Sequence, residues 1–117
     1  MNSLLAGCLY TYMATVTAVY DGDTITADID LGLNTWRHGE KIRLARIDAP
    51  EVRGDERPEG LKCRDMLRQR IDGKEIVIET VKDKKGKFGR YLGELYDQNG
   101  NLNDWMVSEG CAEYKDY

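Results

Sequence analysis

Tyr10-Thr11-Tyr12-Met13-Ala14-Thr15-Val16-Thr17-Ala18-Val19-Tyr20, Asp21-Gly22, and Thr24-Ile25-Thr26-Ala27-Asp28-Ile29-Asp30-Leu31 follow one another near the start of the chain and decide its fold class. The first segment is dense in Tyr, Thr and Val, which suit a pleated, half-buried surface. Asp-Gly favours a tight turn. The last segment alternates, with Ile25, Ala27, Ile29 and Leu31 on one face and Thr24, Thr26, Asp28 and Asp30 on the other, because successive strand side chains point to opposite sides. Together they predict a β-hairpin with one buried face.

Outward from the hairpin the pattern stays mostly β. Gly32 to Gly39, with two glycines, Asn34 and the single His38, reads as a loop, and Glu40 to Ile47 as a third strand. Pro50 lacks an N–H for a ladder and ends that strand, leaving Glu51 to Pro58 as a charged loop. Cys63, Met66, Leu67 and Ile71 recur at helical spacing, with Pro58 suited to the entry and Gly73 to the exit. Lys74 to Val81 and Arg90 to Tyr96 read as two further strands around a basic loop. Asn103 stands where an N-cap is expected, with Trp105 and Met106 on the buried side and Gly110 at the stop. The order is three strands, a helix, two strands and a helix, an α+β chain that is mainly β.

At 117 residues, this length suits one domain, read as residues 10–117 behind an N-terminal extension at 1–9. A hydrophobic share of 41% and a charged share of 32% are those of a globular protein, and no apolar run approaches bilayer length. No membrane association is expected, and a monomer is. Cys8, Cys63 and Cys111 make an odd count without Cys-x-x-Cys spacing, so the cysteines are expected to be reduced, with Cys63 and Cys111 packing as small apolar residues. Leu5-Ala6-Gly7-Cys8 has the composition of a lipoprotein cleavage box. However, seven residues precede Cys8 and none is basic, so a cytoplasmic location is expected, with secretion or lipid anchoring if the N-terminus was trimmed.

A net charge of -4 excludes a protein that coats nucleic acid through a general positive field. Polyanion contact has to be local, and Lys82-Asp83-Lys84-Lys85-Gly86-Lys87-Phe88-Gly89-Arg90, with five positive charges and one negative, meets that condition. Two other segments carry chemistry. Asp21-Gly22-Asp23-Thr24 brackets a glycine with acids, and Arg43-Leu44-Ala45-Arg46-Ile47-Asp48-Ala49-Pro50-Glu51 sets two carboxylates and a proline after a strand. Asp23, Asp48 and the Ala49 carbonyl are the hard oxygen donors that Ca²⁺ takes. Glu51 lies close enough to hold a water, and the Arg90 guanidinium offers a fork matched to phosphate. Taken singly, these segments read equally well as a turn, an acidic loop facing solvent and a charged hairpin tip.

In this order and combination, from about Tyr10 to Tyr114, they resemble the staphylococcal nuclease family. The shared features are Asp-Gly-Asp-Thr, the Arg43 to Glu51 run, Gly89-Arg90 after a basic loop, and the Asn103 to Gly110 helix. The resemblance implies a five-stranded OB-fold barrel with two helices, a third C-terminal helix being short or absent. It implies Ca²⁺-dependent hydrolysis of DNA or RNA that leaves 3′-phosphates. Asp23, Asp48 and Ala49 would hold metal, Arg43, Glu51 and Arg90 would be catalytic, and Lys84, Lys85, Lys87, Phe88 and Tyr114 would contact substrate. Phe88 stands where the well-known secreted member has tyrosine, and Ala49 where threonine is usual. The alternative is a catalytically weak OB-type module that binds nucleic acid or protein; such modules typically lose the acidic and arginine side chains retained here. His38 has no catalytic duty in either reading.

Overall fold

Thr11–Asp21 (β1) and Thr24–Asp30 (β2) pair antiparallel as the hairpin predicted from alternation, in a computed structural model that describes residues 10–85 and 89–116, with backbone alone at 81–85. Ile25, Ala27 and Ile29 enter the core, whereas Leu31 lies beyond the strand end and is exposed. The third strand, Trp36–Leu44 (β3), begins earlier than the sequence predicts, so the expected loop at 32–39 contracts to a turn around Gly32 to Thr35. The register shifts between Ala27 and Ile29, and Gly39 sits opposite with φ of 70° and donates its N–H to Asp28 Oδ1. Gly39 thus marks an irregularity inside a strand and not its boundary.

Glu75–Lys85 (β5) adds to the other side of β1, Tyr91–Asp97 (β6) pairs with β5, and a parallel β3–β6 pairing closes a five-stranded barrel. β5 carries the chain through Lys85, so the backbone of Lys82 to Lys85 is strand where a loop was expected. Ile47–Asp48 (β4) separates from β3 at a turn in which Arg46 has φ of 67°, and pairs with Glu113–Tyr114 (β8). Gly100–Asn101 (β7) extends the β6 edge.

The predicted helix forms as Arg57–Ile71 (α1), behind a short 3-10 turn at Gly54–Glu56, and packs Cys63, Leu67 and Ile71 against β1. Leu102–Ser108 (α2) follows β7 directly. Its N-cap is Asn101, whose side chain accepts the Asp104 N–H at 2.9 Å, and not Asn103 as the sequence suggested. Asn103 is fully buried: its Oδ1 accepts the Leu95 N–H, and its Nδ2 donates to the carbonyls of Ala45 and Gly93. The edge of β6 and the turn after β3 recruit the side chain inward.

Cys63 and Cys111 are joined in a disulfide with Cα atoms 5.5 Å apart, correcting the expectation of reduced thiols. The pairing is tertiary: α1 and the turn after α2 meet across a sequence separation of 48, with no local spacing to announce it. Among the described residues no helix is long and apolar enough to cross a membrane.

Candidate functional site

The β1–β2 turn begins the site. Asp21 Oδ1 accepts the Asp23 N–H at 3.0 Å, tightening the turn, and Leu44 donates its N–H to the Asp23 carbonyl at 2.8 Å. A Cβ on Gly22 would stand 2.9 Å from the Ala49 side chain, so glycine lets the Asp48-Ala49 loop close on the turn. Asp23 is consequently buried, its Oδ2 accepting the Ala49 N–H at 2.7 Å and lying 3.1 Å from Arg43 Nη2. Burial, aided by a hydrogen bond and negative charge from Asp21, pushes the Asp23 carboxyl up to about 7 against the opposite pull of Arg43 and the Ala49 N–H.

Arg43 is the hub, with only 8% of its surface exposed. Nη1 donates to the carbonyls of Leu44 (2.9 Å) and Ile47 (3.1 Å), while Nη2 meets Asp23 Oδ2 at 3.1 Å and Asp48 Oδ1 at 3.2 Å. Two carboxylates from separate turns therefore converge on one guanidinium nitrogen. Asp48 stays half-exposed, with Lys115 Nζ 3.9 Å from its other oxygen. Its strand β4 is held by β8.

Asp23, Arg43, Glu51 and Arg90 line one cleft of about 600 Å³. Glu51 is brought there by a loop lying tight on α1, where a Cβ on Gly60 would overlap the Glu51 carbonyl. Its own N–H donates to Glu56 Oε1 at 3.3 Å. Asp48 and Ala49 face an adjoining concavity with Cys111 and Glu113, and join the cleft through Arg43 and Asp23 respectively. Tyr114 does not line the cleft; its hydroxyl donates to Asp104 at 2.9 Å and its ring lies under Arg46. Lys87 and Phe88 lie outside the described residues, as do the side chains of Lys84 and Lys85.

The donor chemistry fits a hard divalent ion, since two carboxylates already converge on one positive charge. Among the described residues no group of three or more His, Cys, Asp or Glu side chains is placed to hold a metal. A third protein oxygen therefore falls to the main chain, for which the sequence reading offered Ala49. Sequence reasoning passed over Asp21, Lys41, Arg53 and Arg68 as site residues, though all line the cleft. Lys41 had a usable signal, standing two positions before Arg43 on one strand and so on the same face.

Residues 41–117 match the family described as staphylococcal nuclease homologue. An uncharacterized endonuclease of Escherichia coli O157:H7 is 35% identical over 98 residues, covering 83% of this chain and 57% of that protein. The thermonuclease of Staphylococcus hyicus is 27% identical over 105 residues, covering 87% and 59%. A probable staphylococcal-like nuclease of rice is 35% identical over 78 residues, covering 66% of this chain and 19% of its own. The chain thus spans a little over half the length of the two bacterial relatives.

Proposed function

This chain belongs to the staphylococcal nuclease homologue family, and from that premise we propose that it is a Ca²⁺-dependent nuclease hydrolysing phosphodiester bonds of DNA, RNA or both. The observation that carries the proposal is the convergence of Asp23 and Asp48 on Arg43 Nη2, with Glu51 and Arg90 lining the cleft that Asp23 and Arg43 also line. A phosphodiester resists hydrolysis because its anion repels hydroxide, so a site must neutralise the phosphate, orient a water and stabilise the charge that develops.

Asp23, Asp48 and the Ala49 carbonyl would hold the cation, which when bound supplies Lewis-acid neutralisation of a phosphate oxygen. With both carboxylates so engaged, the Nη2 edge of Arg43 is left to a phosphate oxygen, while its Nη1 stays fixed by the two carbonyls. Arg90 would hold the phosphate from another strand end. Glu51, exposed in the cleft, would take the proton of the attacking water at its carboxylate. The family resemblance supports 3′-phosphate products. The Cys63–Cys111 bond supports an oxidising compartment as the place of action, against the cytoplasm expected from sequence.

Digestion of matched single-stranded DNA and RNA oligonucleotides in a calcium titration, with a chelator control, tests the reading. Cleavage that requires Ca²⁺ and disappears in Asp48→Asn is the expected result. Binding without chelator-sensitive cleavage would refute it in favour of a binding module.

A further inference from the structure

The cleft holds more positive charge than the scissile phosphate needs. Its lining sets Lys41, Arg43, Arg53, Arg68 and Arg90 against three carboxylates, Asp21, Asp23 and Glu51, in a chain whose net charge is -4. Arg43 is already neutralised by Asp23 and Asp48, so the excess resides elsewhere. Among the described residues the side chains of Lys41 and Arg53 have neither an ion-pair nor a hydrogen-bond partner. Arg68 is fixed at the cleft by its Nε bond to the Val19 carbonyl at 3.2 Å, with its guanidinium left partly exposed and Asp65 4.0 Å away. These cations come from three different elements, β3, the loop before α1, and α1 itself, yet line one cavity.

Beside them stands Tyr20, which follows Val19 on β1, lines the same cleft and leaves 49% of its surface to solvent. An exposed ring among cations, two of which, Lys41 and Arg53, have no carboxylate partner among the described residues, combines the two contacts that single-stranded nucleic acid offers, a base face and a phosphate. A volume of about 600 Å³ leaves room for such a neighbour.

We propose that Tyr20, Lys41, Arg53 and Arg68 form a subsite for the nucleotide adjoining the scissile phosphate of a single-stranded nucleic acid, its base stacked on Tyr20 and its phosphate held by the three cations. The place of the subsite beside a scissile phosphate rests on the nuclease reading; the binding itself does not. Positive potential focused in a low-dielectric groove draws a polyanion even to a protein of acidic balance. The ring selects unpaired bases, since in a duplex those faces are covered by their neighbours.

The test is fluorescence anisotropy of a 5′-labelled oligothymidylate in chelator over a salt series, so that no cleavage intervenes. Lys41→Gln/Arg53→Gln should weaken binding by about tenfold or more and lower the slope of log affinity against log salt by about 1.4. The exposed pair Lys62→Gln/Lys74→Gln, outside the cleft, removes the same charge and should cost less than about twofold. Tyr20→Ala should weaken the single strand by about fivefold or more while leaving a labelled duplex unchanged. Equal losses in the two double variants, equal effects of Tyr20→Ala on single strand and duplex, or no binding by the unaltered protein overturn the subsite. Cleavage assayed separately distinguishes the readings: binding with these dependences but no Ca²⁺-dependent cleavage keeps the subsite and refutes the nuclease. Cleavage with indistinguishable double variants does the reverse.

Discussion

Asn103→Ala should be among the most damaging small substitutions in the molecule. The side chain is fully buried and uses its carbonyl and its amide nitrogen on the main chain, accepting from Leu95 N–H at 3.1 Å and donating to Ala45 at 2.9 Å and Gly93 at 3.0 Å. The Gly93 carbonyl keeps a second donor in the Ala45 N–H, so its loss is the mildest. The Leu95 N–H and the Ala45 carbonyl each lose this partner in a dry interior, at about 1–3 kcal/mol apiece, for a total near 4 kcal/mol. With the unfolding entropy of a chain this size, that corresponds to a fall of roughly 15 °C in Tm. Asn101→Ala provides the comparison: it removes the cap bond to the Asp104 N–H and the Nδ2 donation to Glu94 Oε1 at 3.0 Å, both only part-buried, and should cost about 1–2 kcal/mol. Urea denaturation of the oxidised protein measures both. A loss below about 1 kcal/mol for Asn103→Ala, or a larger loss for Asn101→Ala, would refute the bracing role.

Arg43→Ala removes the donor to two carbonyls and the counter-charge of buried Asp23, and should destabilise by about 3 kcal/mol besides abolishing cleavage; an unchanged urea midpoint would contradict this. Cys63→Ala/Cys111→Ala opens a loop of sequence separation 48, for which chain entropy gives a loss of about 4 kcal/mol, to be read as a lower Tm that reductant no longer shifts. Asp23 has its pKa raised to about 7 in the folded chain, so the native state binds a proton that the unfolded chain releases at lower pH. In chelator, its contribution is fully present below about pH 4 and is lost as pH rises through 7, so the stability of Asp23→Asn should rise relative to that of the unaltered protein as pH goes from about 4 to 7, with no further change above it. Parallel stability curves for the two would exclude this.

The hairpin and α1 were legible because each buries one face against the core, and the periods of Ile25-Ala27-Ile29 and Cys63-Leu67-Ile71 record that face directly. The start of β3 was not legible, because Gly39 carries the local signature of a turn while its positive φ serves a register shift within the sheet. Asn103 misled for a related reason. Its residue type fits an N-cap, yet Asn101, two positions earlier, caps the helix, and burial draws Asn103 to the β6 edge. In the site, Arg43, Asp48 and Glu51 lie within one short segment, and Asp23 and Arg90, from the two other segments, share a cleft with Arg43 and Glu51. Arg53, Arg68 and Tyr20 belong to three different elements, and the packing of α1 on β1, where Arg68 reaches the Val19 carbonyl, brings them to one cleft.

The Cys63–Cys111 link has a topological consequence. It makes a covalent ring of the chain that carries β5, β6 and α2, while β1 to β4 remain outside it. A single backbone cut within that ring, for instance at the Asp97 to Gly100 turn, releases no fragment: the two pieces migrate together until a thiol is added. Strand β8 begins just beyond Cys111, so the partner of the Asp48 strand stays tethered even when the polypeptide is severed anywhere between Cys63 and Cys111.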